Sequence, residues 1–400
     1  MVATPSRFAR RVPAAGLVAR VLGAGPTGAL AALALVDAGW AVELCDPLDA
    51  EALCRRQRAY AFNQSSRELL ERLDLWSWIE PQLVPFNELQ LWDLGAQRSL
   101  VFSLADLNRH QASKSTAAIG WIGRHDQLME LLLRRLETSA GVSLQLGSSP
   151  IPAPDRPLDL VIAADGPDSP SRRRLGIGCW RRPYGQACLT ATVVLRGAAD
   201  DQAWELLRPE GPFAVLPLGE QRFQLVWSAP AARCRQLESL PASAFLDRLA
   251  AVLPDRFQPD ALLDQPRAFA VELLIAQRLH RGTTLLVGES AHRCHPVGGQ
   301  GLNLCWRDVA VLHRLARRAA RAELDPRRLG AAYGRRRWPD LLLTLLATDL
   351  LVRIFSNRSL WLLPLRSLAL GLLAHIQPLR RLVLAVMTTG PCAIQGSRPE

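Results

Sequence analysis

Apolar positions along this chain follow two periods, and the changes between them mark its elements. Residues 16–22 form a short apolar run that stops at Gly23 and reads as a strand. An alanine- and leucine-rich helical stretch continues to Asp37, Gly39 ends it, and residues 40–45 give a second strand closed by Asp46. A helix is predicted over 65–73. Residues 89–102 alternate as strands and break at Gly95, which predicts a hairpin outside the first unit. Residues 121–136 begin extended and become helical, with Leu128, Leu131, Leu132 and Leu136 on one face and Arg124 at the junction. Residues 158–164 read as a buried strand. A second such strand, 284–287, stops at Gly288, and a helical pattern resumes from Leu302 with Val309, Leu312, Leu315 and Ala316 on one face.

Between Cys188 and His280 the period changes to that of strands, with a turn at Gly219 and Glu220 and one helix expected near 242–252. The stretch 339–387 is apolar but repeatedly broken, by Arg353, Pro364, Arg366 and His375. No window of about eighteen clean apolar residues occurs there, so a spanning helix is not expected. Helices packed on the body of the protein are one reading of this tail, and a peripheral membrane contact beside Arg366, Arg380 and Arg381 is the other. The fold class that follows is α/β: a Rossmann-like nucleotide-binding domain interleaved with a mainly β substrate domain, then an apolar helical C-terminal region. The expected division assigns 16–80, 113–180 and 283–330 to the nucleotide domain. It gives a hairpin at 81–112 and the sheet at 181–282 to the substrate domain, and 331–400 to the C-terminal helices.

Three segments carry candidate chemistry. Gly23, Gly25 and Gly28 sit between a strand and a helix, and Asp46 closes the next strand. In that context the glycines give a tight turn, close approach of a pyrophosphate and helix packing, and the acid reaches a ribose hydroxyl. Asp165 and Gly166, followed by Ser169 and Arg172, end a later strand where open α/β sheets bind ligands. The third segment runs from Gly288 and Glu289 through His292, His295, Pro296, Gly298, Gly299, Gln300 and Gly301 to Leu302 and Asn303. A loop with so little side-chain bulk before a helix start offers bare N–H groups to a negatively charged ligand. Arg58, one crossover beyond the second strand, and Arg124 are further candidates for the cofactor. His292, Cys294 and His295 are too isolated to make a metal site.

The formal net charge of +11 over 400 residues is almost wholly arginine, since Lys114 is the only lysine. A basic surface suits anionic partners; no nucleic-acid module is present, which leaves an acidic membrane face. Eight scattered cysteines without paired spacing fit a reducing compartment. The basic, acid-poor residues 1–20 are expected to be a disordered lead-in to the first strand, and they lack the apolar core of a secretory signal.

The three motifs, in this order, resemble those of the flavin-dependent aromatic hydroxylases. The segments RAYAFNQSSRELLERLDLW, GPFAVLPLGEQRFQLVWS, HPVGGQGLN and TDLLVRIFSN are similar to those of the polyprenyl-phenol hydroxylases of ubiquinone biosynthesis. The resemblance covers about Val21 to Val383. It implies FAD as cofactor, NAD(P)H as reductant, and hydroxylation of an electron-rich, prenylated phenol by molecular oxygen through a flavin hydroperoxide. It also implies an enzyme working in the cytoplasm or peripherally on the inner face of a membrane, within reach of a quinone-synthesis complex. One departure stands out: Glu289 occupies the place where the family commonly has an aspartate that bonds the flavin ribityl chain. No catalytic base is evident; His295, Pro296, Gly298 and Gln300 are the flavin-loop candidates. The residues leave open a flavin-dependent reductase, a hydroxylase of another aromatic, and a non-catalytic flavin-binding subunit.

Overall fold

A computed structural model describes residues 16–107, 117–149, 151, 153–154 and 157–392. Of the lead-in expected over residues 1–20, residues 1–15 lie outside the described residues, as does part of the 81–112 segment, while residues 18–20 already belong to the first strand.

The first glycine motif belongs to a six-stranded sheet. Its order is His280–Arg281, Thr284–Leu286, Leu160–Ala163, Val18–Leu22, Ala41–Asp46 and Val142–Leu146, all parallel except the antiparallel first edge. A parallel sheet of this kind must be covered on both faces, and its strands are mainly apolar, with Arg20 and Glu43 paired to each other where they interrupt the run. Helix Pro26–Asp37 is buried along most of its length and packs against helices His125–Glu137 and Gln300–Ala320. The C-terminal ends of strands 18–22 and 160–163 and of strand 284–286 all point to one edge, and each carries one of the three motifs.

A nine-stranded sheet forms the second layer. Its order is His292–Arg293, Arg267–Ala276, Cys179–Arg196, Arg222–Pro230, Phe213–Pro217, Gln202–Leu207, Glu88–Asp93 and Arg98–Ser103, with Gln258–Leu262 pairing onto the long strand 179–196. Alternation along these strands separates two faces. Trp204, Leu206, Phe213, Val215, Phe223, Leu225 and Trp227 pack with Phe245, Leu249, Cys234 and Leu237 of the helices Ala242–Ala250 and Ala231–Glu238. On the opposite face Leu100, Phe102 and Ala203, with Leu89, Leu91 and Leu216, meet Leu370, Leu384 and Met387 of the C-terminal helices. A separate three-stranded sheet pairs Gly120–Arg124 with Val84–Phe86 on one side and with Ala59–Phe62 on the other.

The tail differs in detail from its sequence pattern. Helix Pro326–Phe355 begins well before Pro339 and runs through it. Helices Leu363–His375 and Gln377–Thr389 follow. Among the described residues no single helix is long and apolar enough to cross a membrane; these last two meet length and composition together only across a bend of 101°. Of the flanking arginines, Arg366 and Arg380 are not free surface cations, whereas Arg381 is exposed. Arg366 is buried, with Nε donating to the Ile354 carbonyl at 2.7 Å. Arg380 donates to buried Asp106 at 2.9 Å, and Arg381 to the Ala105 carbonyl at 3.1 Å.

Candidate functional site

At the first motif, the strand 18–22 ends in a turn that only a glycine tolerates. Gly23 has φ +100°, and a β-carbon there would lie 2.4 Å from the Ala164 carbonyl oxygen. Gly28 is equally constrained: its β-carbon would stand 1.8 Å from the Gly23 oxygen. Gly25 is different, because a β-carbon there would meet nothing within 4 Å. Two of the three glycines are therefore required by the protein's own packing, while at the third the space in front of the helix start is open to a ligand. Asp46 accepts the Ala24 N–H at 2.7 Å and the Leu48 N–H at 2.8 Å. Its first duty is to hold the glycine loop, and lone pairs remain for a ribose hydroxyl.

The second motif caps itself. Asp165 accepts the Ser169 hydroxyl and, at 2.9 Å, the Ser171 N–H, while the Ser169 Oγ accepts the Arg172 N–H at 2.9 Å. The Arg172 guanidinium spans to the third motif, donating to the Ser290 carbonyl at 2.6 Å and to the Pro167 carbonyl at 2.8 Å. Gly166 has open space beside it.

The third motif is anchored from below. The Gly288 N–H donates to Asp308 Oδ2 at 2.8 Å, and His292 Nε2 lies 2.7 Å from the same oxygen. Arg337 donates to Asp308 Oδ1 at 2.6 Å and to Asp340 at 2.5 Å; Arg307 adds a bond to Asp340 at 2.9 Å. Burial alone would raise the Asp308 carboxyl, but the charges of His292 and Arg337 and the bonds from His292 and Gly288 outweigh it and hold the group well below the usual range. Gly288 packs against Thr27 of the first motif and against Cys305. All three glycine segments thus meet at one edge of the parallel sheet.

Beyond Gly288 the chain passes through two left-handed glycines, Gly298 (φ +66°) and Gly299 (φ +63°), and the long helix starts at Gln300, two residues earlier than its apolar pattern predicts. A β-carbon at Gly298 or Gly301 would meet nothing within 4 Å. The first-turn N–H groups at 300–302 have no intrahelical acceptor. Asn303 is held by protein instead: it donates to the Ala61 and Gly299 carbonyls at 2.7 and 2.8 Å and accepts from Asn63 N–H and the Ser66 hydroxyl. Its side chain is a fastener for the loop, and it is not free to bind a cofactor.

Arg58 donates to the Tyr60 hydroxyl at 2.9 Å, and Tyr60 bonds His125 Nδ1 at 2.8 Å. Burial draws His125 down to about 4, so it is neutral at pH 7. The strand that follows Arg58, Ala59–Phe62, is fastened to the third motif by the bond from Asn303 to the Ala61 carbonyl, which brings Arg58 to that motif. Arg124 is not drawn in: it is half exposed and paired with Asp126.

Open glycine backbone in all three segments, together with unpaired helix-start amides, fits an extended anionic ligand such as FAD. A family model described as an FAD binding domain matches residues 158–338. The chain is 32% identical to the ubiquinone hydroxylase UbiL of Rhodospirillum rubrum, over 91% of this chain and 87% of that protein. It is 30% identical to the 3-demethoxyubiquinol 3-hydroxylase of Escherichia coli, over 73% of this chain and 77% of that one. The p-nitrophenol 4-monooxygenase PnpA of Pseudomonas putida shares the fold, with a TM-score of 0.76 at 17% identity over 94% of this chain and 99% of that one. The chain belongs to the FAD-dependent aromatic hydroxylases.

As a member of that family it is a flavin monooxygenase. When bound, FAD supplies the electrons that activate molecular oxygen for insertion into an aromatic ring. Gly23, Gly25 and Gly28 would hold its pyrophosphate, Asp46 the distal ribose, and Glu289, Arg58 and the 298–302 loop its flavin half. A cavity of about 430 Å³ around Trp92, Ser99, Trp204 and Arg256 shares no residue with these segments and is not the cofactor site.

The flavin-loop candidates for proton chemistry are already engaged. His295 accepts the Val297 N–H at Nδ1 (3.2 Å) and meets Gln186 Oε1 through Nε2 (3.1 Å). That arrangement is the neutral imidazole with both nitrogens in use, and burial draws it down to about 4. Gln300 bridges the Gly298 and Met387 carbonyls at 3.2 and 3.1 Å. Pro296 shapes the turn into Val297–Gly299. The group that sequence reading missed is Glu205, buried on the substrate sheet with the Gly298 N–H at 3.4 Å. Its one signal was a lone acid inside the apolar run Ala203–Leu207.

Proposed function

We propose that this monooxygenase hydroxylates a prenylated phenol of quinone biosynthesis, with NAD(P)H as the reductant. The observation that carries the reading is the link between an exposed apolar tail and the flavin loop. Leu360, Trp361, Leu365, Leu368, Leu372 and Ile376 stand exposed on the tail, Trp361 at 93%. The helix that follows, Gln377–Thr389, meets the loop directly through Met387, whose carbonyl accepts from Gln300 and Asn63. So large an apolar display is costly in water and suits a lipid interface. A substrate whose tail stays in the bilayer would pass its ring along these helices to the cofactor. The names of the two sequence relatives support a quinone precursor as that substrate.

The same proposal places the protein in the cytoplasm and peripherally on the inner face of the membrane, in association with other quinone-synthesis enzymes. The test is oxygen uptake by the FAD-loaded protein with NADH or NADPH, in the presence of 2-prenylphenol or of tail-free phenol, with products identified by mass spectrometry. Hydroxylated 2-prenylphenol, formed in step with NAD(P)H oxidation, is expected. Equal turnover of both phenols would remove the lipid substrate from the reading. Flavin reduction without any hydroxylated product would overturn it.

A further inference from the structure

We infer that the Glu205 carboxylate is the catalytic residue that takes the phenolic proton of the substrate, on the sheet face that meets the flavin loop. The inference rests on the hydroxylase reading above.

Strand Gln202–Leu207 sends Trp204 and Leu206 into the core under the two substrate-domain helices. Alternation turns Ala203 and Glu205 to the other face, and Ala203 there joins the apolar cluster shared with the C-terminal helices. Glu205 is thus carried on the floor of the substrate domain, and it accepts the N–H of Gly298, the open glycine of the flavin loop. Its cross-strand neighbours are Ala214 and Leu91, which bring no charge. A buried carboxylate without a cation is costly to keep ionised, and burial pushes Glu205 up to about 7 despite the Gly298 bond. Such a group holds or releases a proton near neutrality, the property a general base needs.

The other groups facing this floor cannot do the work. Cys188, on the same face of the long strand, is held as a thiol by burial and bonded to Ser228. Gln224 is tied to the Ala191 carbonyl at 3.0 Å. His295, at the head of the loop, is neutral with both nitrogens engaged, and Tyr184 packs edge-on against it. Among the described residues, Glu205 is the acid on this face whose charge changes near pH 7.

The step balances simply. The phenol O–H bond breaks, the proton goes to a Glu205 oxygen, and the electron pair stays on the substrate oxygen. The phenolate pushes density into the ring, where the carbon–oxygen bond forms as the O–O bond of dioxygen activated at the cofactor breaks. One oxygen enters the ring, the other leaves as water, and NAD(P)H supplies the two electrons through FAD. The ring carbon then loses its hydrogen as a proton to water, and Glu205 returns its own proton to the product oxygen.

The experiment compares FAD-loaded wild type with Glu205→Gln and Glu205→Asp, using 2-prenylphenol and a more acidic ring-fluorinated analogue. Retained flavin absorbance establishes that the variants fold. In wild type, ultraviolet difference spectra of the oxidised holoenzyme should reveal bound phenolate below the pH at which the free phenol ionises. Glu205→Gln should lack that band and lose about 100-fold in kcat on 2-prenylphenol. It should lose far less on the fluorinated analogue, and Glu205→Asp should recover part of the rate. A Glu205→Gln enzyme with the wild-type phenolate band, or with the same loss on both phenols, would overturn the inference and leave the hydroxylase reading standing. A wild type that hydroxylates neither phenol would overturn both.

Discussion

Replacing Asp308 with asparagine removes one charge from the centre of the buried network that carries Gly288. Asp308 is fully buried and receives the Gly288 N–H, His292 Nε2 and Arg337 Nε at 2.8, 2.7 and 2.6 Å. The asparagine keeps the size but turns an NH₂ toward donors, and Arg337, itself buried, keeps only Asp340 as a counter-charge. Breaking a buried pair by removing one partner costs roughly 3–5 kcal/mol, because the remaining charge is left uncompensated. With a urea dependence near the upper end of about 1–3 kcal/mol per molar, the midpoint should fall by about 1 M or more. Urea unfolding followed by flavin release and by circular dichroism is the assay. FAD affinity should fall as well, since Gly288 loses the acceptor that fixes it. The pH dependence has a definite sign. The folded Asp308 is held below its ordinary range, so its contribution is complete above the usual aspartate range and is lost as pH falls below it. Wild type and Asp308→Asn should therefore converge in strong acid. A matched control is Glu51→Gln, which breaks the exposed pair with Arg55 and should leave the midpoint unchanged. A midpoint shift for Asp308→Asn no larger than that of the control would refute the reasoning.

Three further outcomes are expected. Gly25→Ala should fold normally and lose FAD, as read by flavin absorbance, whereas Gly28→Ala should destabilise the protein itself by about 1–3 kcal/mol through overpacking against the Gly23 carbonyl. Glu205→Gln should gain on wild type in urea as pH rises from about 4.5 to 7, by roughly 3 kcal/mol, because the folded carboxyl keeps a proton that the unfolded one releases; parallel pH profiles would contradict this. Trp361→Ser with Leu368→Ser should reduce cosedimentation with anionic vesicles at high and low salt alike. Arg380→Glu should instead unfold the tail by opposing Asp106.

Legibility in the sequence followed the range of the interactions involved. The strand, glycine turn, helix and Asp46 of the first motif lie within one short crossover, and local period and glycine spacing specify them directly. The same holds for the third loop, whose open glycines stand where the spacing put them. What escaped were roles decided by which partner a side chain takes, most of them distant in the chain. Asn303 looks available in the motif but is consumed by Ala61, Asn63 and Ser66, some 240 residues away. Arg366 and Arg380 look like lipid-facing cations beside an apolar run, yet each is folded back onto buried or backbone acceptors. Arg124 sits at the expected strand–helix junction, but its neighbour Asp126 claims it. Glu205 is the reverse case. Nothing near it in the chain marks it, and its character comes from Gly298, 93 residues on, and from the apolar sheet around it. Motif spacing locates the glycine turns because backbone geometry itself demands them. The side chains that finish the site depend on which partners remain unspent, and only the folded arrangement decides that.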